Sequence, residues 1–451
     1  MNTLKAQWPY PGARWWKVDF HAHTPASKDW HHTTDPSPQP TAEQWLLKYM
    51  EAEVDCVVIA DHNSGAWVDS LKDAYERLKA NPPAGFRELY LFPGVEISVS
   101  GGFHLLAILD LDKTKCDIDQ LLGKVDYGGT SGASDGVTEK SALEVIEAVA
   151  DCGLAVPAHA DQPKGLLHLD NSGRACALQD PMTLQRLFDG GRVVAAEIVN
   201  PQTRKPQIYV DAKCPWTEVL GSDSHSLHFD PLPGSRFTWV KMARPALEGL
   251  RLALLDGSGF STRRSDDPEP FDPFKLPTHF IESVEISEAR YMGRGVPEKL
   301  CFHPWFNALI GGRGTGKSTV IHALRLAYHR GVELQSLPKE SEARSTFERF
   351  KKEPQDRNDE EGALDYRASQ KTSIVAIVAR EGLPYRLLWR QDAPVITVER
   401  ETDTTWQPQS ITPERFPVRI FSQGQIAALA SESQQALLEV VDQAAGTRSS
   451  K

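Results

Sequence analysis

An α/β chain in two parts is what the sequence predicts: a barrel of strands and helices over residues 1–255, a linker at 256–277, and an α+β lobe over 278–451. Three observations point there. Short apolar runs of strand character each lead into a polar cluster, and strand ends of this kind converge on one rim when strands close into a barrel. Residues 256–277 are rich in Gly, Ser, Asp and Pro, the composition of a linker. Beyond them a glycine-rich loop stands between an apolar run and a helical stretch.

A chain of 451 residues has room for two or three domains, each burying its own core. Hydrophobic residues at 40% and charged residues at 25% are ordinary globular values. The net charge of −11 argues against a broadly basic nucleic-acid-binding surface but leaves room for a local basic groove. The 6 cysteines are scattered without C-x-x-C spacing, which indicates neither a zinc knuckle nor a disulfide framework and fits a reducing cytoplasm. No apolar run approaches the ~20 residues of a membrane span, and the N-terminus lacks a signal-peptide core. A cytoplasmic protein without a membrane partner is expected.

The expected strands of the first part come in order. Trp16 to Phe20 leads into Asp19-Phe-His21-Ala-His23, and Val57 to Ala60 leads into Asp61-His62-Asn63. Leu89 to Phe92 precedes Gly94-Val-Glu96, with His104 behind it; Leu154 to Val156 precedes His159, and Ser222-Asp223-Ser-His225 closes the series. Imidazole and carboxylate are what divalent transition metals take as ligands, and hydrolytic sites keep positions open to water and substrate. One His-x-His pair says little; an ordered series at successive strand ends says much more. Two loops without periodicity, residues 124–140 and 29–40, are placed to overhang such a rim.

On these residues, positions 14–265 resemble the PHP family, the polymerase and histidinol phosphatase domain. The resemblance implies a distorted seven-stranded β/α barrel that hydrolyses phosphoesters with two or three divalent ions, manganese, zinc or iron. It implies one ion on His21, His23, Glu96 and Asp223, and a second that shares Glu96 and adds His104 and His159. A third would take His62, His225 and a side chain behind the first motif, where Asp29 stands at the expected spacing and His31 and His32 follow closely. Glu96, Asp223 and His159 are thereby the residues expected to carry catalysis. Asp61 is either a partner orienting the next histidine or a carboxylate capping the strand end. No protein nucleophile is required, because metal ions activate water, and none is advertised: there is no G-x-S-x-G element and no cysteine in a reactive setting.

In the second part, Gly311-Gly-Arg-Gly314-Thr-Gly316-Lys317-Ser318-Thr319 matches G-x-x-x-x-G-K-[ST], between an expected strand at Trp305 to Ile310 and an expected helix at Thr319 to Tyr328. In such a loop backbone N–H groups cradle phosphates, the lysine neutralises them and the serine hydroxyl reaches Mg²⁺. The stretch from Phe306 resembles the Walker A segment of ABC-type ATPases, in particular their SMC-like branch. Phe280 to Ile286 looks like that family's first strand. Strand-like runs follow at Ser373 to Arg380, Tyr385 to Arg390 and Val395 to Glu399, the first two separated by a Glu-Gly-Leu-Pro turn signal. Val418-Arg-Ile-Phe-Ser-Gln423-Gly-Gln resembles the Q-loop, with Gln423 a better match than Gln425. The resemblance implies ATP with Mg²⁺, and a dimer or higher oligomer for a complete ATPase. A Leu-Ser-Gly-Gly-like signature and a Walker B strand ending in Asp-Glu are not found after Gln423, so it covers the first lobe only. Residues 339–364, highly charged, are expected as a solvated helix or loop, and a helix is expected over 425–443.

The two parts together resemble the TrlF-like ATPases and the PHP–ATPase proteins of bacterial defence against phage. The function expected is a metal-dependent phosphodiesterase acting on nucleic acid and gated by nucleotide. The alternative is a phosphatase acting on a small phosphomonoester or nucleotide, and a catalytically dead scaffold sits badly with an intact ligand series. Lys28, Lys164, Arg174, Arg204 and Lys205 lie in loops near the motifs as candidate contacts to a polyanion.

Overall fold

The computed structural model describes residues 8–30, 38–174, 177, 181–211, 216–355, 362–365, 371–393, 395–427 and 438. His31, His32 and most of the helix expected over 425–443 lie outside the described residues. The chain divides into two compact units, one of Gly12–Phe274 and one of Lys275 onward together with the residues up to Pro11.

The strands of the first unit are β1 (Arg14–Ala22), β2 (Cys56–Ile59), β3 (Tyr90–Val99), β4 (Phe103–Ile108), β5 (Leu154–Pro157), β6 (Ala195–Glu197), β7 (Thr217–Val219), β8 (Thr238–Met242) and β9 (Thr262–Arg264). Its helices are α1 (Ala42–Glu51), α2 (Val68–Ala80), α3 (Lys115–Lys124), α4 (Ala142–Ala150), α5 (Pro181–Asp189), α6 (Gln207–Asp211) and α7 (Leu247–Asp256). A curled seven-stranded sheet runs β5-β4-β3-β2-β1-β8-β9, and β6 and β7 form a parallel pair. Single bridges, Ala155 to Val193 and Ala22 to Ser224, continue the ring from β5 to that pair and from beyond it back to β1.

Residues alternate between the two faces of this sheet, as strand pleating demands. Along β2 and one residue past it, Cys56, Val58 and Ala60 join an inner cluster with Phe20, Phe92 and Leu106, while Val57 and Ile59 join an outer cluster with the helices. Thr41 with Gln44 and Ser141 with Glu144 form capping boxes that start α1 and α4. The sheet is mixed: β1–β2 and β2–β3 are parallel, whereas β3–β4, β4–β5, β1–β8 and β8–β9 are antiparallel. The tight turn between Val99 and Phe103 leaves no room for a crossover helix, so β4 must fold straight back on β3.

The expected linker is largely built into this unit. Within 256–277, β9 pairs with β8, and the Phe271 ring stands edge-on to Trp15 at 4.8 Å. Conversely, the Trp8 and Tyr10 rings lie against His303 and Phe280 of the second unit.

That second unit is α+β. Its strands are β10 (His279–Ser287), β11 (Glu298–Cys301), β12 (Ser373–Arg380), β13 (Leu383–Arg390), β14 (Thr397–Thr402) and β15 (Thr405–Pro408), in the antiparallel order β11-β10-β12-β13-β14-β15. Glu381 and Gly382, at φ 53° and 76°, make the β12–β13 hairpin turn. The helix α8 (Lys317–Ala327) packs Val320, Ala323 and Ala327 onto Val284, Ile374 and Ala376. A second helix, α9 (Glu342–Lys351), follows.

Two expectations need correction here. Trp305 to Ile310 forms no strand, and Phe306 and Ile310 are 81% and 94% exposed. A strand needs partners for its backbone groups, and among the described residues this run pairs with none of the six strands of the antiparallel sheet. The charged stretch 339–364 is not merely solvated, because α9 buries Ala343, Phe347 and Phe350 on one face. None of the described helices is long and apolar enough to cross a membrane.

Candidate functional sites

The histidine and acidic series comes together at one end of the curled sheet. His21 and His23 sit two apart at the end of β1 and therefore share a face, both fully buried. Glu96 lies inside β3, with His104 on the neighbouring β4, where its backbone pairs with Ser98. His62 follows β2, His159 follows β5 at φ 28°, and Asp223 lies beyond β7 at φ 53°.

Glu96 is the hub. Its Oε2 stands 3.4 Å from His21 Nε2, 3.5 Å from His23 Nε2 and 2.7 Å from His62 Nδ1. Its Oε1 stands 2.7 Å from His104 Nδ1 and 3.0 Å from His159 Nε2. Asp223 Oδ1 reaches His21 and His23 Nε2 at 3.5 and 3.2 Å, and His225 Nδ1 at 3.8 Å. Asp29 Oδ2 lies 3.0 Å from His62 Nε2 and 3.4 Å from His225 Nε2. Three overlapping sets therefore bring ligand atoms within 4.8 Å of one another: His21, His23 and Glu96; His62, Glu96 and His104; and His23, His62 and His225.

The donors fit divalent cations on local grounds. His21 Nδ1 is 2.9 Å from Glu197 Oε2 and His23 Nδ1 is 2.9 Å from Ser27 Oγ, partners that hold a proton on each Nδ1 and turn each Nε2 lone pair inward. Those two Nε2 atoms stand 3.0 Å apart, a repulsive contact unless a proton or cation lies between them. His159 Nδ1 is buried without a hydrogen-bond partner, and His62 Nδ1 with Glu96 Oε2, and His225 Nε2 with Asp29, are close but badly angled for a hydrogen bond. Buried lone pairs of this kind are costly unless something positive satisfies them.

The electrostatics agree. Burial would lower the His21 pKa, but Asp223, Glu197 and Glu96 outweigh it and hold it well above the ordinary value. Burial likewise opposes His62, and Glu96 and Asp29 lift it to about 10. Burial and the neighbouring imidazoles His225 and His21 push His23 down to about 3. Glu96 stays well below the carboxylate range despite its burial, because His21 and His62 favour its charge. A cluster that must otherwise retain protons is one where a metal can take their place.

Asp61 does not contact its neighbouring histidine side chain. It accepts from Thr24 N at 2.7 Å, Thr24 Oγ1 at 2.6 Å and Ser27 Oγ at 2.8 Å, so it fixes the turn after β1 and orients His23 through Ser27. Glu197 is the residue that sequence reasoning missed. Besides His21 it accepts from His159 N at 2.8 Å and Gly221 N at 3.2 Å, tying three of the strand-end segments together. A lone carboxylate inside the apolar run Val193 to Val199 was the available signal. Glu197→Gln is expected to weaken metal affinity roughly 10- to 100-fold, read by metal content and calorimetry.

Around the rim, the loop expected to overhang it does so. Gly132 N donates to His62 O at 3.0 Å, Lys28 N to Gly132 O at 2.7 Å, and Lys164 Nζ to Ser134 Oγ at 3.2 Å. Lys205 is a weaker candidate for a polyanion, since its amine is paired with Glu218 at 3.0 Å.

In the second unit, Gly314 and Gly316 take φ 83° and 87°, the left-handed values that let the chain wrap before α8 begins at Lys317. The Lys317 amine donates to Gly311 O and Gly312 O, both at 2.6 Å. A cavity of about 240 Å³ beside this loop is lined by Lys317, Ser318, Ile321, His322, Glu342 and Gln423 among others. Gln425 faces away, its Oε1 accepting from Ser422 N at 2.9 Å.

No family model matches the sequence, and a search of curated proteins finds no match. Among solved structures, the chain is similar to a candidate metal-dependent phosphoesterase from Bifidobacterium adolescentis at 19% identity and a TM-score of 0.31, over 53% of this chain and 96% of that one. It is also similar to Endonuclease Q, solved with a 27-mer duplex carrying an abasic lesion, at 18% identity and a TM-score of 0.35, over 55% of this chain and 58% of that one. These scores lie below those of a shared global fold. What the chain does is therefore read from its own side chains.

Proposed function

We propose that the first unit is a metal-dependent phosphoester hydrolase acting on nucleic acid. The observation that carries this reading is the convergence of five buried imidazole nitrogens, from His21, His23, His62, His104 and His159, on the Glu96 carboxylate. His21, His23, Glu96 and Asp223 would hold one divalent ion, Glu96, His104 and His159 a second, and His62, His225 and Asp29 a third. Such ions polarise a phosphoryl oxygen and lower the pKa of a water. Glu197 and Ser27 hold the His21 and His23 rings in place throughout, and the Asp61 carboxylate keeps Ser27 there. The cluster opens to solvent where Asp29, Asp223 and His225 keep side-chain exposures of 52%, 34% and 28%. An open rim flanked by Lys28 and Lys164 supports a long substrate over a small phosphomonoester.

The second unit is read as an ATP site with Mg²⁺, with Lys317 and the loop amides from Gly311 to Thr319 on the phosphates and Ser318 and Gln423 on the metal side. In this reading nucleotide binding gates cleavage, in the manner of a phage-defence nuclease.

The deciding experiment incubates the protein with single- and double-stranded DNA, RNA, nucleotides and a chromogenic phosphodiester, with Mn²⁺, Mg²⁺ or Zn²⁺, with and without ATP. Metal-dependent polynucleotide cleavage is expected. Cleavage of nucleotides alone would move the assignment to a phosphatase, and inactivity with every metal would remove it. Lys317→Ala deletes a charge facing the phosphates and should weaken ATP binding roughly 10- to 100-fold, leaving chromogenic diester cleavage unchanged. Equal ATP affinity in calorimetry would reduce the loop to a structural turn.

A further inference from the structure

Arg325 lies eight residues along α8 from Lys317, about two helical turns, and its side chain is fully buried. Its Nη2 donates to Ile420 O at 2.6 Å, Gln425 Oε1 at 3.1 Å and Ser422 Oγ at 3.3 Å, and its Nη1 to Arg330 O at 3.0 Å. The nearest carboxylate, Glu333, is 3.6 Å away. A guanidinium taken out of water is costly unless well bonded, and an apolar side chain would fill the same space more cheaply. What the charge provides here is a fork of donors around which residues 420–425 are folded. Gln425 closes that fold by accepting from both Arg325 and Ser422 N. Gln423, at the apex, is left lining the cavity with Lys317 and Ser318.

We propose that Arg325 is a positioning residue of the nucleotide site: anchored in the helix that the P-loop begins, it holds the 420–425 segment so that Gln423 faces the metal side of the bound nucleotide. This rests on the ATP reading of the loop and goes beyond it, because it assigns a residue that never touches ligand. The geometry also makes the coupling two-way, since a ligand that fixes Gln423 restrains the same segment that Arg325 grips.

The test is calorimetry of ATP binding with Mg²⁺ and with EDTA, on the parent, Arg325→Gln, Gln425→Ala, Gln423→Ala and the Arg325→Gln/Gln423→Ala double variant, each checked for folding by its thermal melt. Arg325→Gln and Gln423→Ala should each lose the Mg²⁺-dependent gain in affinity, roughly tenfold, with Mg²⁺-free binding preserved. The double variant should be no worse than either single one, a non-additivity that general destabilisation does not produce. If Arg325→Gln fails to fold, Gln425→Ala, which removes one acceptor of the guanidinium but leaves the charge with Ile420 O, Ser422 Oγ and Arg330 O, decides the matter by the same loss. A folded variant that keeps the Mg²⁺-dependent gain, or losses that simply add, would overturn the proposal. Lys317→Ala separates the two levels: if it leaves ATP binding intact, or if the parent binds no ATP, the ATP reading itself has failed.

Discussion

Glu96→Gln is expected to abolish phosphoester cleavage, by on the order of 10³-fold or more, and to lower the metal content of the purified protein. The change keeps the size of the side chain and removes one charge, so packing along β3 is preserved. That charge faces His21, His23, His62, His104 and His159, and Glu96 would serve both of the proposed ion positions that share it. The surrounding imidazoles can shed protons once it is gone, so the fold should persist. Cleavage by the variant is measured at saturating metal beside a thermal melt of the metal-free protein. Near-parental turnover would sink the assignment.

Gly221→Ala should damage both fold and site. A Cβ there would stand 2.4 Å from His21 N, 2.7 Å from His21 Cβ and 3.0 Å from Glu197 Oε1. Two of those atoms are backbone or backbone-bound and cannot swing away. Overpacking of this kind costs about 1–3 kcal/mol, and strain falls on the pair that aims His21 at the centre. The melting temperature should drop by roughly 5 °C or more, and metal affinity should fall with it. An unchanged melt with full metal content would mean that β1 and the segment after β7 are not packed as tightly as described.

Much of the site was legible because metal chemistry leaves a mark in residue type: imidazoles and carboxylates at the ends of apolar runs have few other reasons to recur in order. β2, β5 and the first half of β3 were legible because they are apolar, the same reason that they are buried, whereas β1 shows itself by Trp16, Val18 and Phe20 alternating with polar residues. The three-residue strands β6, β7 and β9 were not, since so short a run carries no periodicity. Direction was also hidden: nothing local says that β4 runs back along β3, because pairing is settled by the turn between them and by what the sheet already contains. Spacing left Asp61 open between orienting the next histidine and capping the strand end, and it assigned Glu197 no role. Proximity in sequence placed Asp61 beside His62, but the curl of the sheet turned it toward Thr24 and Ser27, and brought Glu197 across 176 residues to His21. The exposed run Trp305 to Ile310 marks the converse limit, where apolar sequence alone does not create a strand.

The proposed ligands are drawn from His21 at the end of the chain's first strand to His225 beyond its seventh, so no short segment would carry a site by itself. An unfolded or half-closed chain offers only isolated histidine pairs, and contacts this distant in sequence form late. Capture of ions, on the proposed reading, would therefore act as a ratchet on ring closure. On that reading, an ion held by buried Glu96 would leave only when the barrel breathes, whereas one beside half-exposed Asp29 would trade directly with the medium. Residence time, more than affinity, would then separate a permanent ion from an exchangeable one, and a scarce metal at the outer position could set the working rate without ever threatening the fold.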